Sequence, residues 1–134
     1  MHKPVYDPDA NAVLLVPDDE AADRLSGEIN VFVCGGLQNP DKMRGLLGKD
    51  AAFAPAVVTG YTGCVSETHD GKQMPFMIPA EPDSVLPGVV WLDLAPADLA
   101  AVEAFELAGD YRKRITVRAR CGSRFVNAVT FVKR

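Results

Sequence analysis

The sequence predicts an α+β domain of mostly antiparallel strands with two main helices, on three observations. Short β-rich runs broken by glycine and proline fill much of the chain. Two segments carry a proline at the first helical position, and the C-terminal end alternates in polarity as a hairpin does. With 134 residues, 48% of them hydrophobic and 24% charged, the chain buries roughly 70% of its unfolded surface, enough for one core without disulfide or metal support.

In chain order, residues 1–30 read as an N-terminal extension ahead of a domain over 31–134. The extension has a lead rich in Pro and Asp, an apolar run from Ala12 to Val16 that suits a strand, and an acidic amphipathic piece that suits a short helix. Ile29 and Val31 to Cys34 form a buried-type strand that stops at Gly35-Gly36. Asn39 then offers an N-cap, Pro40 the first helical position and Asp41 a charge suited to the positive helix end. Met43, Leu46 and Leu47 make the apolar stripe of this helix, and Gly48 ends it. Strand-like runs follow at Ala56–Tyr61, Cys64-Val65, Phe76–Ile78 and Val85–Leu94, with an Asp70-Gly71 turn inside the polar stretch before Phe76. Leu94-Ala95-Pro96 opens a second helix that runs to about Glu106, and Ala108-Gly109 closes it.

Net charge is −4, which as a global figure argues against a nucleic-acid binder. The distribution is uneven. Arg112 to Arg134 holds eight basic residues and no acidic one, leaving six basic and 18 acidic residues, a net −12, in the rest. Ile115, Val117 and Ala119 share one parity there and Thr116, Arg118 and Arg120 the other, as in a half-buried strand with a charged outer face. Gly122-Ser123 makes the turn to a second strand that keeps Val129 and Phe131. A solvated hairpin accounts for this pattern better than a nucleic-acid surface, because no aromatic is interleaved with the exposed charges. No apolar run reaches the roughly 18 residues of a membrane span. The start lacks the layout of a signal peptide, so the expected location is cytoplasmic. Cys34, Cys64 and Cys121 are widely spaced with no C-x-x-C pair, and neither His2 nor His69 lies near one. They read as small buried hydrophobes, and no metal site is expected.

Chemistry has two candidate places. At the Gly35-Gly36 junction the backbone can approach a ligand closely, and N–H groups near a helix start attract an anion or oxyanion. A tight turn with no ligand also accounts for the two glycines, and this is neither a dinucleotide fingerprint nor a P-loop. The second place is Glu106. With Leu99 at zero and about 100° per residue, Val102 falls at about 300° and Glu106 at about 340°, inside the apolar stripe. Glu103, at about 40°, lies on its margin. A carboxylate aimed at a core is paired, neutral or lining a cavity. Pairing with Arg112 or Arg114, or an early helix end that turns Glu106 outward, are the structural alternatives to acid/base work.

Taken together, these features resemble the γ-glutamylcyclotransferase-like family, which includes plant avirulence-induced-gene-like proteins and γ-glutamylamine cyclotransferases. The text that carries the resemblance is Val31-Phe32-Val33-Cys34-Gly35-Gly36-Leu37, Met74-Pro75-Phe76, Pro87-Gly88-Val89-Val90-Trp91, and Ala104-Phe105-Glu106 with Tyr111-Arg112-Lys113. It spans about residues 31 to 132. The family's loop reads Tyr-Gly-Ser/Thr-Leu, so Cys34 and Gly36 replace both hydroxyl side chains, and Leu107 stands where the family has glycine. The resemblance implies a small barrel-like sheet, no metal, no cofactor, and cyclisation of a γ-glutamyl amide or amine to 5-oxoproline with release of the amine. It implies Glu106 as the catalytic acid/base and Cys34, Gly35, Gly36, Leu37 and Tyr111 as substrate-binding residues. The expected partner is a small-molecule γ-glutamyl substrate, with no nucleic acid and no membrane. A catalytically silent carboxylate-binding domain of the same fold is the alternative. Cys34 has no identifiable histidine base beside it, which argues against a nucleophilic thiol.

Overall fold

The computed structural model describes residues 2–7, 12–17 and 29–134, so the acidic segment for which a short helix is expected lies outside the described residues. The apolar run at the start of the domain becomes strand β3 (Ile29–Val33), and its continuous hydrophobicity has a plain cause. Both of its faces are buried: Phe32 points into one core cluster, while Val31 and Val33 join the other. β3 pairs antiparallel with β7 (Val85–Leu94), Phe32 opposite Val90, and parallel with β9 (Arg124–Lys133), Val31 opposite Val129. β7 pairs on its other side with β4 (Phe53–Thr59), from Phe53 opposite Trp91 to Thr59 opposite Val85. β8 (Arg112–Cys121) pairs with β9 along its whole length and returns to β4 at Val57 opposite Arg120. The order β4-β7-β3-β9-β8 therefore closes into a five-stranded barrel.

Alternation along these strands fills the barrel with side chains, as small barrels require. Ala54, Ala56 and Val58 of β4, Val90 and Leu92 of β7, and Val117 and Ala119 of β8 all point inward. The opposite parity of β3, β4 and β7 faces the helices. There Trp91 is buried, lies 4.4 Å from the Phe53 ring and donates its indole N–H to the Leu37 carbonyl at 3.0 Å. On β8 the expected parity holds, with Arg118 and Arg120 exposed and Val117 and Ala119 buried. One premise needs correction. The outer face does carry an aromatic: Phe125 is 55% exposed, with the Arg118 guanidinium 5.1 Å from its ring. Cross-strand pairing of Arg120 with Phe125 puts that ring beside the basic row, a neighbour that strand parity alone did not reveal.

Helix α1 (Pro40–Leu47) begins as its sequence dictates. Asn39 Oδ1 accepts the N–H groups of Asp41 at 2.8 Å and Lys42 at 3.4 Å, Pro40 follows, and Gly48 caps the other end. A 3-10 turn, Gly36–Gln38, joins β3 to this helix. Helix α2 (Pro96–Glu106) has no side-chain oxygen at its N-cap, Ala95. Asp98 supplies it from three residues on, accepting the Ala95 N–H at 3.0 Å while holding Lys49 at 3.0 Å.

Two differences from the sequence reading stand out. The expected run Ala56–Tyr61 is divided: β4 ends at Thr59, Gly60 takes φ +83, and β5 (Tyr61–Glu67) leaves the barrel. β5 and β6 (Gln73–Pro79) form a separate two-stranded ribbon, closed by the turn expected at Asp70-Gly71. The N-terminal lead also forms a strand. β1 (His2–Asp7) pairs with β2 (Ala12–Pro17), the strand expected there, and reaches the barrel at Tyr6 opposite Phe53.

Candidate active site

Strand β3, helix α2 and the β5–β6 ribbon meet around a cavity of about 640 Å³. Each contributes for a local reason. β3 stops at Val33 because Gly35-Gly36 takes the chain into the 3-10 turn, where the Gly35 and Gly36 carbonyls accept the N–H groups of Gln38 and Asn39, each at 3.1 Å. The wall of the cavity therefore includes the backbone of Cys34, Gly35 and Gly36. α2 delivers Glu106 from its last residue. Val102, one turn earlier, is fully buried, which fixes the face on which Glu106 emerges. Beyond it Leu107 caps the helix by donating its N–H to the Glu103 carbonyl at 2.8 Å, and Ala108 adds to the wall.

Glu106 is enclosed, its side chain 18% exposed. Burial pushes its carboxyl above the ordinary glutamate value of 4.5, and the Arg112 guanidinium pulls in the opposite direction. Arg112 Nε stands 3.8 Å from Glu106 Oε2. The same guanidinium donates to the Pro75 carbonyl and lies 4.8 Å from the Phe76 ring, so it ties helix, barrel and ribbon together. Lys133, 5.7 Å from the same ring, donates to Ser66 Oγ at 3.2 Å. Cys34 also titrates high: burial and the neighbouring Glu106 carboxylate raise its thiol above 9.0, against the pull of Arg112. A thiol held neutral in this way is a poor nucleophile.

Of the residues expected at the site, Glu106, Cys34, Gly35 and Gly36 come together on one cavity. Leu37 and Tyr111 are placed elsewhere. The Leu37 side chain is 2% exposed in the core beneath the helices, because its carbonyl turns toward the Trp91 indole. Tyr111 packs against His69, ring centroids 5.2 Å apart, near the tip of the ribbon. Of the structural alternatives for Glu106, the early helix end does not occur, the pairing with Arg112 does, at 3.8 Å, and Arg114 pairs with Glu103 instead. Sequence reasoning missed Arg112 as a wall residue, and the apolar side chains of the ribbon, Met74 and Phe76 among them. Arg112 entered the sequence reading only as a candidate ion-pair partner of Glu106 and as part of the Tyr111-Arg112-Lys113 motif. Among the described residues, no group of three or more His, Cys, Asp or Glu side chains is arranged to hold a metal ion, and no helix is long and apolar enough to cross a membrane.

A five-stranded barrel with an enclosed carboxylate opening beside a glycine loop defines a class of small α+β domains. Residues 31–134 match the family described as Gamma-glutamyl cyclotransferase, AIG2-like, and the chain belongs to it. That family includes γ-glutamylcyclotransferases, which act on small γ-glutamyl substrates. No curated protein sequence matches the chain. Among solved structures it is similar to an Arabidopsis thaliana protein determined in solution, with TM-score 0.64 and 25% identity over 78% of this chain and 61% of that one. It is also similar to a gamma-glutamyl cyclotransferase, with TM-score 0.68 and 12% identity over 79% of this chain and 66% of that one. An uncharacterised human protein gives TM-score 0.70 at 12% identity, over the same shares of the two chains. At 12% identity the likeness is one of fold. The chain spans 61% to 66% of the length of these relatives.

Proposed function

We propose that the protein is a γ-glutamylcyclotransferase that converts a γ-glutamyl amide or amine to 5-oxoproline and free amine, with Glu106 as the acid/base. The observation that carries this reading is the enclosed Glu106 carboxylate opening onto the same cavity as the Cys34–Gly36 backbone. The chemistry takes two protons from the α-ammonium group of the substrate and requires no cofactor. Glu106 accepts the first, and the freed amine attacks its own γ-carbonyl carbon. A C–N bond forms within the glutamyl unit, and the original amide C–N bond breaks as the proton held by Glu106 passes to the departing nitrogen. The second proton of the attacking nitrogen goes to the released amine, which leaves as its ammonium ion. A carboxyl whose affinity for protons is raised by burial suits both halves of that cycle. Because the nucleophile and the carbonyl belong to one molecule, holding it folded supplies much of the rate. Backbone N–H groups of Gly35 and Gly36 serve the α-carboxylate or the oxyanion, a role that needs neither of the hydroxyls replaced by Cys34 and Gly36.

The test is 5-oxoproline release from a panel of γ-glutamyl amides by the native chain and by Glu106→Gln. The substitution is expected to lower kcat by about 10²–10⁴-fold. Equal turnover by the two proteins rejects the mechanism. A second reading, a carboxylate-binding domain without turnover, draws on the absent hydroxyls and on the Arg112 guanidinium in the cavity wall. It predicts thermal stabilisation by carboxylate metabolites together with no 5-oxoproline from any amide.

A further inference from the structure

We infer that the amine released at this site carries an uncharged, apolar tail, so that the substrates are γ-glutamyl amides of alkyl or arylalkyl amines; this rests on the cyclotransferase reading. The cavity, about 640 Å³, has the size of one that takes a drug-sized ligand, and a glutamyl group fills only part of it. Its formal charges are confined to one spot. Among the described residues, Glu106 and Arg112 are the only acidic or basic side chains in its wall, and they face each other at 3.8 Å. Arg112 is already committed to Pro75 and Phe76.

Most of the remaining wall is hydrocarbon and sulfur. The ribbon contributes Val65, Met74, Pro75, Phe76 and Met77, and β7 contributes Leu86. Among the described residues, a leaving amine that carries a second ammonium meets no carboxylate there besides Glu106, whose proton transfers it would disturb. One that carries a carboxylate finds no cation among the described wall residues besides Arg112; of the lysines nearby, Lys42 stands beside Gly36 and Lys133 is held by Ser66. Either charge loses water without gaining a partner of its own, whereas an alkyl chain gains by leaving water. The rim points the same way. Val65, 69% exposed, and Phe105, 54% exposed, both border the cavity and offer apolar surface that a bound tail covers. At Gly63 a Cβ would meet nothing within 4 Å, so room continues along the ribbon.

The experiment compares amides of matched length. kcat/KM for 5-oxoproline release is measured for the γ-glutamyl methyl-, propyl-, hexyl- and phenethylamides, the cationic 5-aminopentylamide and the anionic 5-carboxypentylamide. Binding of the same series to Glu106→Gln is measured by titration calorimetry. The proposal expects kcat/KM and affinity to rise by about fourfold per added methylene, the equivalent of burying one CH₂. It also expects an increasingly negative heat-capacity change of binding. The hexylamide should exceed both charged analogues by at least about tenfold. Val65→Glu, a change at an exposed rim position, should shift the hexyl to aminopentyl ratio toward the cation by about tenfold. Turnover and binding that ignore chain length, or favour a charged tail, overturn the proposal. If no amide is turned over but affinity still follows chain length, the cyclotransferase reading fails and the apolar subsite stands. If neither turnover nor binding is seen, both fall.

Discussion

Glu106 costs more to ionise than an ordinary glutamate because its carboxyl is largely removed from water, and Arg112 at 3.8 Å offsets part of that cost. The consequence for catalysis has a definite sign. A general base works in its deprotonated form, so kcat/KM rises with pH as free-enzyme Glu106 loses its proton. A raised pKa puts the midpoint of that acid limb above 4.5, the ordinary value. Arg112→Met removes the opposing influence and should move the limb further toward neutrality. A profile of kcat/KM across the acid and neutral range checks both statements. A limb at or below the ordinary glutamate value, or a downward move in Arg112→Met, contradicts the assignment. Cys34 contributes no limb in that range, since its thiol titrates above 9.0.

At the scale of elements, the end of α2 decides where Glu106 points, and Gly109 decides how α2 ends. Its φ of +79 belongs to the left-handed region, and a Cβ there would lie 2.5 Å from the Tyr111 ring. Gly109→Ala should therefore destabilise the fold by about 1–3 kcal/mol, measured by urea unfolding. In the Gly109→Ala/Tyr111→Ala double mutant the loss should be smaller than the sum of the single losses, because the ring that causes the clash is gone. Strict additivity would leave backbone strain as the whole effect. The same helix shows what the sequence made legible. A 3.6-residue period places Glu106 between Leu99 and Val102 without any knowledge of the neighbours, because the period is local. The glycine junction, both helices and the β8–β9 hairpin were readable for the same reason. The β5–β6 ribbon as a cavity wall was not, since nothing local says which element a hairpin packs against. Tyr111 and Leu37 went astray at that level too. Their neighbours, His69 and Trp91, lie 42 and 54 residues away in the chain and become partners only once the barrel has closed.

Across the whole molecule, the +8 hairpin and the −12 remainder partly neutralise each other in place. Arg112, Arg114 and Arg134 meet Glu106, Glu103 and Asp110, all from α2 or the turn that follows it. That pairing lets a basic strand pack beside an acidic helix end and brings Arg112 to the cavity. Closure depends on both ends of the domain, because β3, the first strand of the barrel, lies between β7 and the last strand, β9. β1 and β2 stand outside this ring and join it at one bridge, Tyr6 opposite Phe53, while β4 is held along its length by β7 and again by β8. Among the described residues, every one in the cavity wall lies from Phe32 to Phe131. A chain reduced to residues 29–134 should accordingly fold in one cooperative transition and turn over γ-glutamyl amides within about twofold of the full chain, since its core and site remain intact. Removing residues 124–134 instead takes away β9, which pairs with both β3 and β8, and should abolish cooperative unfolding rather than leave a smaller barrel. Thermal unfolding followed by circular dichroism, alongside 5-oxoproline release, separates these outcomes. Loss of both cooperativity and activity in the 29–134 chain would make the β1–β2 hairpin an integral part of the domain.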